Sequence, residues 1–400
     1  PVLNNESYYP ITVLPGETDA QVIQWDGLET WEDRNIHAKS IRSYKSFLIA
    51  MNITDGVQVQ PDVVMWSDSA DTGTLPGSWN YEDPATLAGK NVLGGSEGDI
   101  IDGLPLRDSF IIYRKRGITT MDFAGGTDWV FNFRSFTNSI DIVGLNCIKE
   151  IKGVHFIMTA DDIVVNDGNS INSILHNRMR KYFQSHINNE LLNRCFIAMD
   201  DDNKEIWFCY PEVGSDVSTQ ALLWNWRDNT WAVRDFPGVT HMDYGYAPPI
   251  GESWVDDGKP WGEEIQTWGN AGTSVTGRKN VGISNRLLTT FEEATEAYET
   301  LWERQSIPIA GHGANVTIQR LLPQIVSQNT ERKVYIQVGS QQHAEDSITW
   351  KPPIRFYSGR QRKVDMRVTG ELFSFKVSST GIGTFEMSGM DVEYVMAGSR

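Results

Sequence analysis

Gly94-Gly95-Ser96-Glu97-Gly98 has the letters of the Gly-x-Ser-x-Gly elbow on which hydrolases mount a nucleophilic serine. That chemistry needs a strand before the serine and a helix after it. Here Asp99-Ile100-Ile101-Asp102-Gly103 follows, so the segment reads as a flexible glycine-rich loop. The histidines at 37, 155, 176, 186, 241, 312 and 343 show no His-x-x-x-His spacing and no Cys-x-x-Cys accompanies them, so no metal is expected. His155 sits in an apolar strand, where a hydrogen-bonded core histidine is a better account than a general base. Asp200-Asp201-Asp202 offers oxygens to a calcium ion but lacks the Gly and bidentate Glu of a calcium loop. With Asn203 it reads as a hairpin tip, because Asp and Asn bond the turning backbone. A glycosidase would need two carboxylates about 5–10 Å apart, and among 52 acidic residues no such pair stands out.

Trp224-Asn225-Trp226-Arg227-Asp228-Asn229-Thr230-Trp231 is the most distinctive segment, a hairpin with tryptophan on both arms. Exposed indoles there could stack on sugar rings, but cross-strand packing that stabilises the hairpin is the plainer reading. Ala344-Glu345-Asp346-Ser347-Ile348-Thr349-Trp350 looks like a degenerate Asp-box whose usual Gly is missing. Such a box braces a turn and performs no catalysis. No catalytic residue, cofactor-binding residue or metal ligand is assigned, and the chain is read as a non-enzyme without a cofactor.

Charge points away from phosphate binding. The chain has 400 residues, 35 Lys and Arg against 52 Asp and Glu, and a formal charge of −17. Tight nucleic-acid binding is disfavoured, although an acidic wall can still face DNA by repelling it. Cys147, Cys195 and Cys209 form no disulfide framework, which suits a reducing cytosol. Cys195 and Cys209 flank the Asp200–Asn203 turn almost symmetrically, so a bond between them is geometrically open while free thiols are the commoner outcome. No run approaches the ~20 apolar residues of a membrane helix, so no span is expected. Pro1-Val2-Leu3-Asn4-Asn5 lacks the basic and apolar regions of a secretion signal and reads as an end from which Met was trimmed or as a start inside a longer chain.

The elements that must hold these residues are short apolar runs separated by Asp, Asn and Gly, the rhythm of hairpins. Ser46–Asn52 and Val63–Trp66 flank Asp55-Gly56, with a Gly-, Pro- and Ser-rich loop from Ser69 to about Asp99. Ser109–Lys115, Ile118–Phe123 and Trp129–Phe136 read as a three-strand meander. Val154–Met158 with Asp162–Asn166 repeats the pattern, and Cys195–Met199, Glu205–Tyr210, Ala221–Asn225 and Thr230–Arg234 do so again. Units recur about every 40 to 60 residues, close to the ~40–50 of four-stranded propeller blades. The expected fold is all-β, a β-propeller-like array of hairpin blades with a C-terminal β module and one or two short helices.

Ser173–Leu192 is the clearest helix, with Leu175, Met179, Tyr182, Phe183, Ile187 and Leu191 along one side and Arg178, Arg180 and Lys181 on the solvated face. Leu287–Trp302 reads equally as helix or as two strands around an acidic turn. The division expected is residues 1–40 as an N-terminal extension, 41–239 as the propeller-forming region, 240–285 as a Trp-, Gly- and Pro-rich inserted loop and 286–400 as late propeller strands with the C-terminal module. Trp254, Trp261 and Trp268 suggest that the insert docks to a neighbouring protein, so changes there should act on assembly more than on folding.

The order of segments resembles the tail hub, nozzle or head-completion proteins of short-tailed bacteriophages, also called packaged-DNA stabilisation proteins. The likeness is carried by Arg107–Gly126, Gly153–Gly168 with its Arg-bearing helix, Leu222–Asp235 and Val334–Ser379. It spans roughly residues 40–395 and lies in pattern and order. It implies a propeller in a homohexameric ring of the virion tail, made in the host bacterial cytoplasm, between a portal-side adaptor and a distal tail protein. Genomic DNA would pass through the axis without sequence-specific binding. Only about 40 residues precede the first clear hairpin, which leaves little for a first blade and suggests either closure by late strands or fewer regular blades than the family has. The competing reading is a carbohydrate-binding or glycan-degrading propeller on a viral tail or bacterial surface, using Trp224, Trp231 and paired carboxylates.

Overall fold

The computed structural model describes residues 11–13, 22–24, 31, 34–71, 74–126, 129–137, 140–245, 279–284, 287–290, 297–327, 332–382 and 385–397. They divide into two compact units, Pro1–Thr290 and Phe291–Arg400.

In the first unit, β1 (Ile11–Val13) pairs with β2 (Val22–Gln24). Four antiparallel sheets of four strands then follow in sequence order. The first holds β3 (Ile36–Tyr44), β4 (Phe47–Asp55), β5 (Gln58–Trp66) and β6 (Gly89–Val92), and the second β7 (Ile100–Leu106), β8 (Ser109–Arg114), β9 (Gly117–Phe123) and β10 (Phe131–Thr137). The third holds β11 (Ile148–Ile151), β12 (Val154–Met158), β13 (Ile163–Asn166) and β14 (Ile171–Ser173). The fourth holds β15 (Phe196–Asp200), β16 (Glu205–Tyr210), β17 (Ser218–Asn225) and β18 (Thr230–Val239). A three-stranded sheet of β19 (His241–Gly245), β20 (Lys279–Ser284) and β21 (Leu287–Thr290) comes last.

The first strand of each sheet packs against the first strand of the next, β3 on β7, β7 on β11, β11 on β15 and β15 on β19. That succession of inner strands is the signature of propeller blades, and the fold is all-β and propeller-like. It also explains why the strands read as unbroken apolar runs. Phe110 and Ile112 of β8 face the first blade, while Ile111 and Tyr113 face the third. In β4, Ile49 and Met51 face the second blade and Ala50 the opposite side. A bulge at Asn52, with φ of 58°, then shifts the alternation so that Ile53 joins Ala50. The blades approach closely at Gly103, where a Cβ would lie 2.6 Å from the Phe110 ring and 2.9 Å from the Met51 sulfur.

Several expectations need correction. The helix α1 covers Asn177–His186, shorter than Ser173–Leu192. Ile171–Ser173 instead adds a strand to β13, and Ile187 bridges to Glu212, because pairing open backbone groups there outweighs the helical pattern. Leu175, Phe183 and Ile187 are nonetheless buried. The first blade is complete with its own sequence, since β3 begins at Ile36 and β6 lies inside the expected 69–99 loop. Leu287–Trp302 resolves as strand on both flanks. The acidic stretch between, the bulk of the 240–285 insert and its three tryptophans lie outside the described residues. No helix among the described residues is long and apolar enough to cross a membrane.

In the second unit, strands from 298 to 396 pair among themselves. One sheet holds β22 (Tyr298–Ile307), β24 (Lys333–Gln341), β25 (Thr349–Trp350), β26 (Ile354–Phe356) and β28 (Leu372–Gly381). The other holds β23 (Val316–Ser327), β27 (Val364–Gly370) and β29 (Phe385–Met396). Val316, Ile318 and Leu321 of β23 pack with Val334, Ile336, Phe373 and Phe375 in a separate apolar core. β29 is continuous, carried past Ser388 by a bulge opposite Gln324 and Ile325.

Candidate functional site

The charged groups concentrate where first strands meet. Asp102 of β7 is fully buried and its carboxylate accepts from Ser40 Oγ (2.7 Å), Arg42 Nε (2.9 Å), Arg42 Nη2 (2.6 Å), Gly103 N (2.8 Å) and Asn146 N (3.1 Å). Arg42 Nη2 also donates to Asn146 Oδ1 at 2.7 Å, and the Asn146 carbonyl accepts from Ile197 N at 2.9 Å. One carboxylate thus ties β3, β7 and the entry to β11, and Asn146 extends the tie to β15. The left-handed φ of 61° at Asn146 turns its N–H and carbonyl in different directions, which Asn tolerates. Nearby, Lys149 Nζ of β11 meets Asp243 Oδ1 of β19 at 2.5 Å. His241 is held below its usual pKa by burial, with Lys149 and Arg42 pushing the same way against Asp243. Asp102 has no acceptor capacity left for a substrate, so the cluster acts as a lock between inner strands.

A second cluster ties the second blade to its own entry loop. Glu97, inside the serine-elbow lookalike, is buried against Arg114, accepts from Ser135 Oγ at 2.5 Å, and Arg114 Nε donates to Gly98 O at 2.9 Å. The loop leads into β7, without the helix that a nucleophile elbow requires, and Ser96 points to solvent. His155 is fully buried, with Nδ1 2.8 Å from Tyr113 Oη and Nε2 donating to Pro105 O at 2.9 Å. Asn166 Nδ2 donates to the same Tyr113 oxygen at 3.0 Å. Burial holds His155 below its usual pKa and raises Tyr113, so the neutral pair joins blades two and three.

The remaining sequence candidates resolve as structure. Cys195 and Cys209 are free and buried, since Phe196, not Cys195, stands opposite Cys209 in the register. Burial pushes the Cys195 thiol up to about 12 and raises Cys147 and Cys209 as well, which makes all three poor nucleophiles. Asp200 caps its own hairpin, accepting from Asn203 N at 3.0 Å and Asn203 Nδ2 at 2.7 Å. Trp224 and Trp231 stand directly opposite one another, stacked with centroids 6.1 Å apart, and Phe156 of the third blade packs on Trp224 at 5.4 Å. They are packing residues. Asp346 braces the Asp-box-like turn by accepting from His343 N at 2.9 Å, and Trp350 pairs opposite Gly339. Among the described residues, no three His, Cys, Asp or Glu side chains are placed to hold a metal ion.

The feature that reading the sequence missed is a groove of about 500 Å³ between the outer strands β6 and β10. Blades that touch at their inner strands fan apart outward, and the gap opens where they do. Trp66 and Phe131 form its floor, packed edge to face at 5.3 Å, and Tyr81, Trp129 and Phe133 rise at its sides with Lys90, Asn91 and Asn132. Trp129 is 74 % exposed. Its run, Trp129-Val130-Phe131-Asn132-Phe133, announces a strand and gives no hint of which residues another blade will leave open. Asp102 left one readable trace, a lone charge inside an apolar strand.

No family model matches the chain, and no curated protein does so significantly. Among solved structures, Hsv2 of Kluyveromyces lactis is 11 % identical, with 64 % of this chain covering 62 % of that one at a TM-score of 0.33. The N-terminal domain of Nup159 is 11 % identical over 70 % of each chain at 0.28. A glycoside hydrolase is 10 % identical over 88 % of this chain and 83 % of its own at 0.26. At these scores the likenesses carry no functional argument, and the fold rests on the sheet topology above.

Proposed function

We propose that the chain is a structural, non-enzymatic component of the tail of a short-tailed bacteriophage, a hub or nozzle subunit that forms a ring around the conduit for genome retention and ejection. The observation that carries this reading is the use of its buried polar groups. Asp102 and His155 have their bonding capacity taken up by neighbouring segments and join one blade to the next, while Glu97 pairs with Arg114 and Ser135 within the second blade. Such ties resist shear, as a load-carrying wall must. The resemblance of the hairpin order to that family supports the same reading. The acidity supports it too, since six copies of −17 give about −102 and a conduit should not retain phosphates. The partners are further copies of the chain, a portal-side adaptor and a distal tail protein, with DNA passing unread. Mass measurement of the native assembly should return a homohexamer without retention of cell-surface polysaccharide, whereas a monomer at all protein concentrations overturns the reading.

A second reading, saccharide binding, is favoured by the β6–β10 groove. Aromatic faces beside amide side chains suit a sugar, whose C–H faces stack while its hydroxyls take hydrogen bonds. On this reading polysaccharide is retained, and Trp129→Ala weakens retention about tenfold, equivalent to ~1.4 kcal/mol, with no change in melting. Retention unaltered by that change removes the groove from consideration.

A further inference from the structure

The second unit is electrically polarised across its sheets. Between Lys351 and Arg367 stand six basic residues and one acidic one, a net of +5 in a chain of −17. All six, Lys351, Arg355, Arg360, Arg362, Lys363 and Arg367, are exposed. Lys363 pairs with Asp365, while Arg360, Arg362 and Arg367 have no acidic partner among the described residues. This segment carries β26 and β27. Among the described residues β26 pairs only with β24 and β27 only with β23, and β24 packs on β27, so the two form one lateral edge.

The opposite edge has the other sign. Among the described residues β22 pairs only with β28 and β29 only with β23, and Arg332 lies over both the Tyr298 ring of β22 and the Phe385 ring of β29, at 4.1 and 5.4 Å. The two strands carry Glu299, Glu303, Glu386, Asp391 and Glu393 against Arg304, a net of −4. Lys376 and Arg320 reach Glu303 and Glu393, leaving Glu299 and Glu386 without a basic partner among the described residues. Apolar side chains lie open on the same strands: Leu301 is 62 % and Met396 64 % exposed, and Trp302, Tyr394 and Val395 about 40 %.

Edge strands paired on one side, with open apolar side chains, are templates for pairing with another chain. Two unlike patches on one molecule, complementary in charge, give a head-to-tail contact, and contacts of that kind build rings when the rotation closes. We infer that these edges dock on each other between neighbouring copies, the basic β26–β27 edge of one chain against the acidic, apolar β22–β29 edge of the next. The inference rests on the ring reading and names the surfaces that make it.

The test uses two charge reversals on exposed positions of the full chain, Arg360→Glu with Arg362→Glu and Lys363→Glu, and Glu299→Lys with Glu386→Lys and Asp391→Lys. Mass is read in 50 mM NaCl, with thermal melting as the control for folding. Each variant alone should fall to the 45.1 kDa monomer, and an equimolar mixture should reassemble, because each supplies the charge the other lost. Reassembly on mixing is something a misfolded variant cannot produce. If the native chain assembles and both variants do too, or if mixing restores nothing, the edges are not the interface and the ring reading stands. A native chain that stays monomeric removes the ring reading itself, and this inference with it. If the basic-edge variant assembles normally but loses retention of duplex DNA, the patch is a phosphate contact and the docking inference is overturned.

Discussion

Asp102→Ala should lower the unfolding free energy by about 3–5 kcal/mol, the range for breaking a buried ion pair by removing one partner. The carboxylate is fully buried and accepts five hydrogen bonds from four residues, among them the backbone N–H groups of Gly103 and Asn146. Those donors are left unsatisfied, and the Arg42 guanidinium loses its counter-charge. The Arg42 side chain is 27 % exposed, so water recovers part of its solvation and the loss falls in the lower half of the range. Ser40→Ala removes one donor and should cost about 1 kcal/mol. Denaturant unfolding followed by circular dichroism measures both. A loss below 1 kcal/mol for Asp102→Ala would mean that the inner strands hold without the lock.

Phe208→Ala should cost about 3–5 kcal/mol through lost transfer energy and the cavity left behind. Phe208 is fully buried on β16, faces the third blade within the main apolar core, and stacks against Trp231 with centroids 6.1 Å apart. The site cannot collapse easily because Ile206 and Tyr210 beside it belong to the same packed face. Ile112→Ala and Ile157→Ala, also fully buried, should cost about 2–5 kcal/mol. Val57→Ala, at a 97 % exposed turn position, should stay within about 0.5 kcal/mol and serves as the control. If Phe208→Ala and Val57→Ala lose stability equally, the interface between blades three and four is not a packed core.

The strands and turns were legible because their causes are local. Phe110-Ile111-Ile112-Tyr113 reads as a strand, and Asp55-Gly56 and Asp167-Gly168 read as turns whose glycines adopt φ of 61° and 88°. The facing pair Trp224 and Trp231 could be placed by counting outward from one turn. The Ser173–Leu192 helix was drawn too long for the converse reason. Its periodicity was real, but Ser173 joined the ladder on β13 and Ile187 bridged to Glu212, partners that no window of local sequence reveals.

What the chain alone determined, then, is an acidic all-β protein of successive hairpins, with no metal or nucleophile spacing in evidence. Tertiary structure decided which groups meet. Asp102 finds Arg42 sixty positions earlier, the β6–β10 groove joins outer strands of different blades, and residues 298–307 and 385–396 share an acidic edge opposite the basic one. Hydrophobic burial drives such meetings but has no direction of its own, so a sequence announces that a face will be covered while only packing selects what covers it.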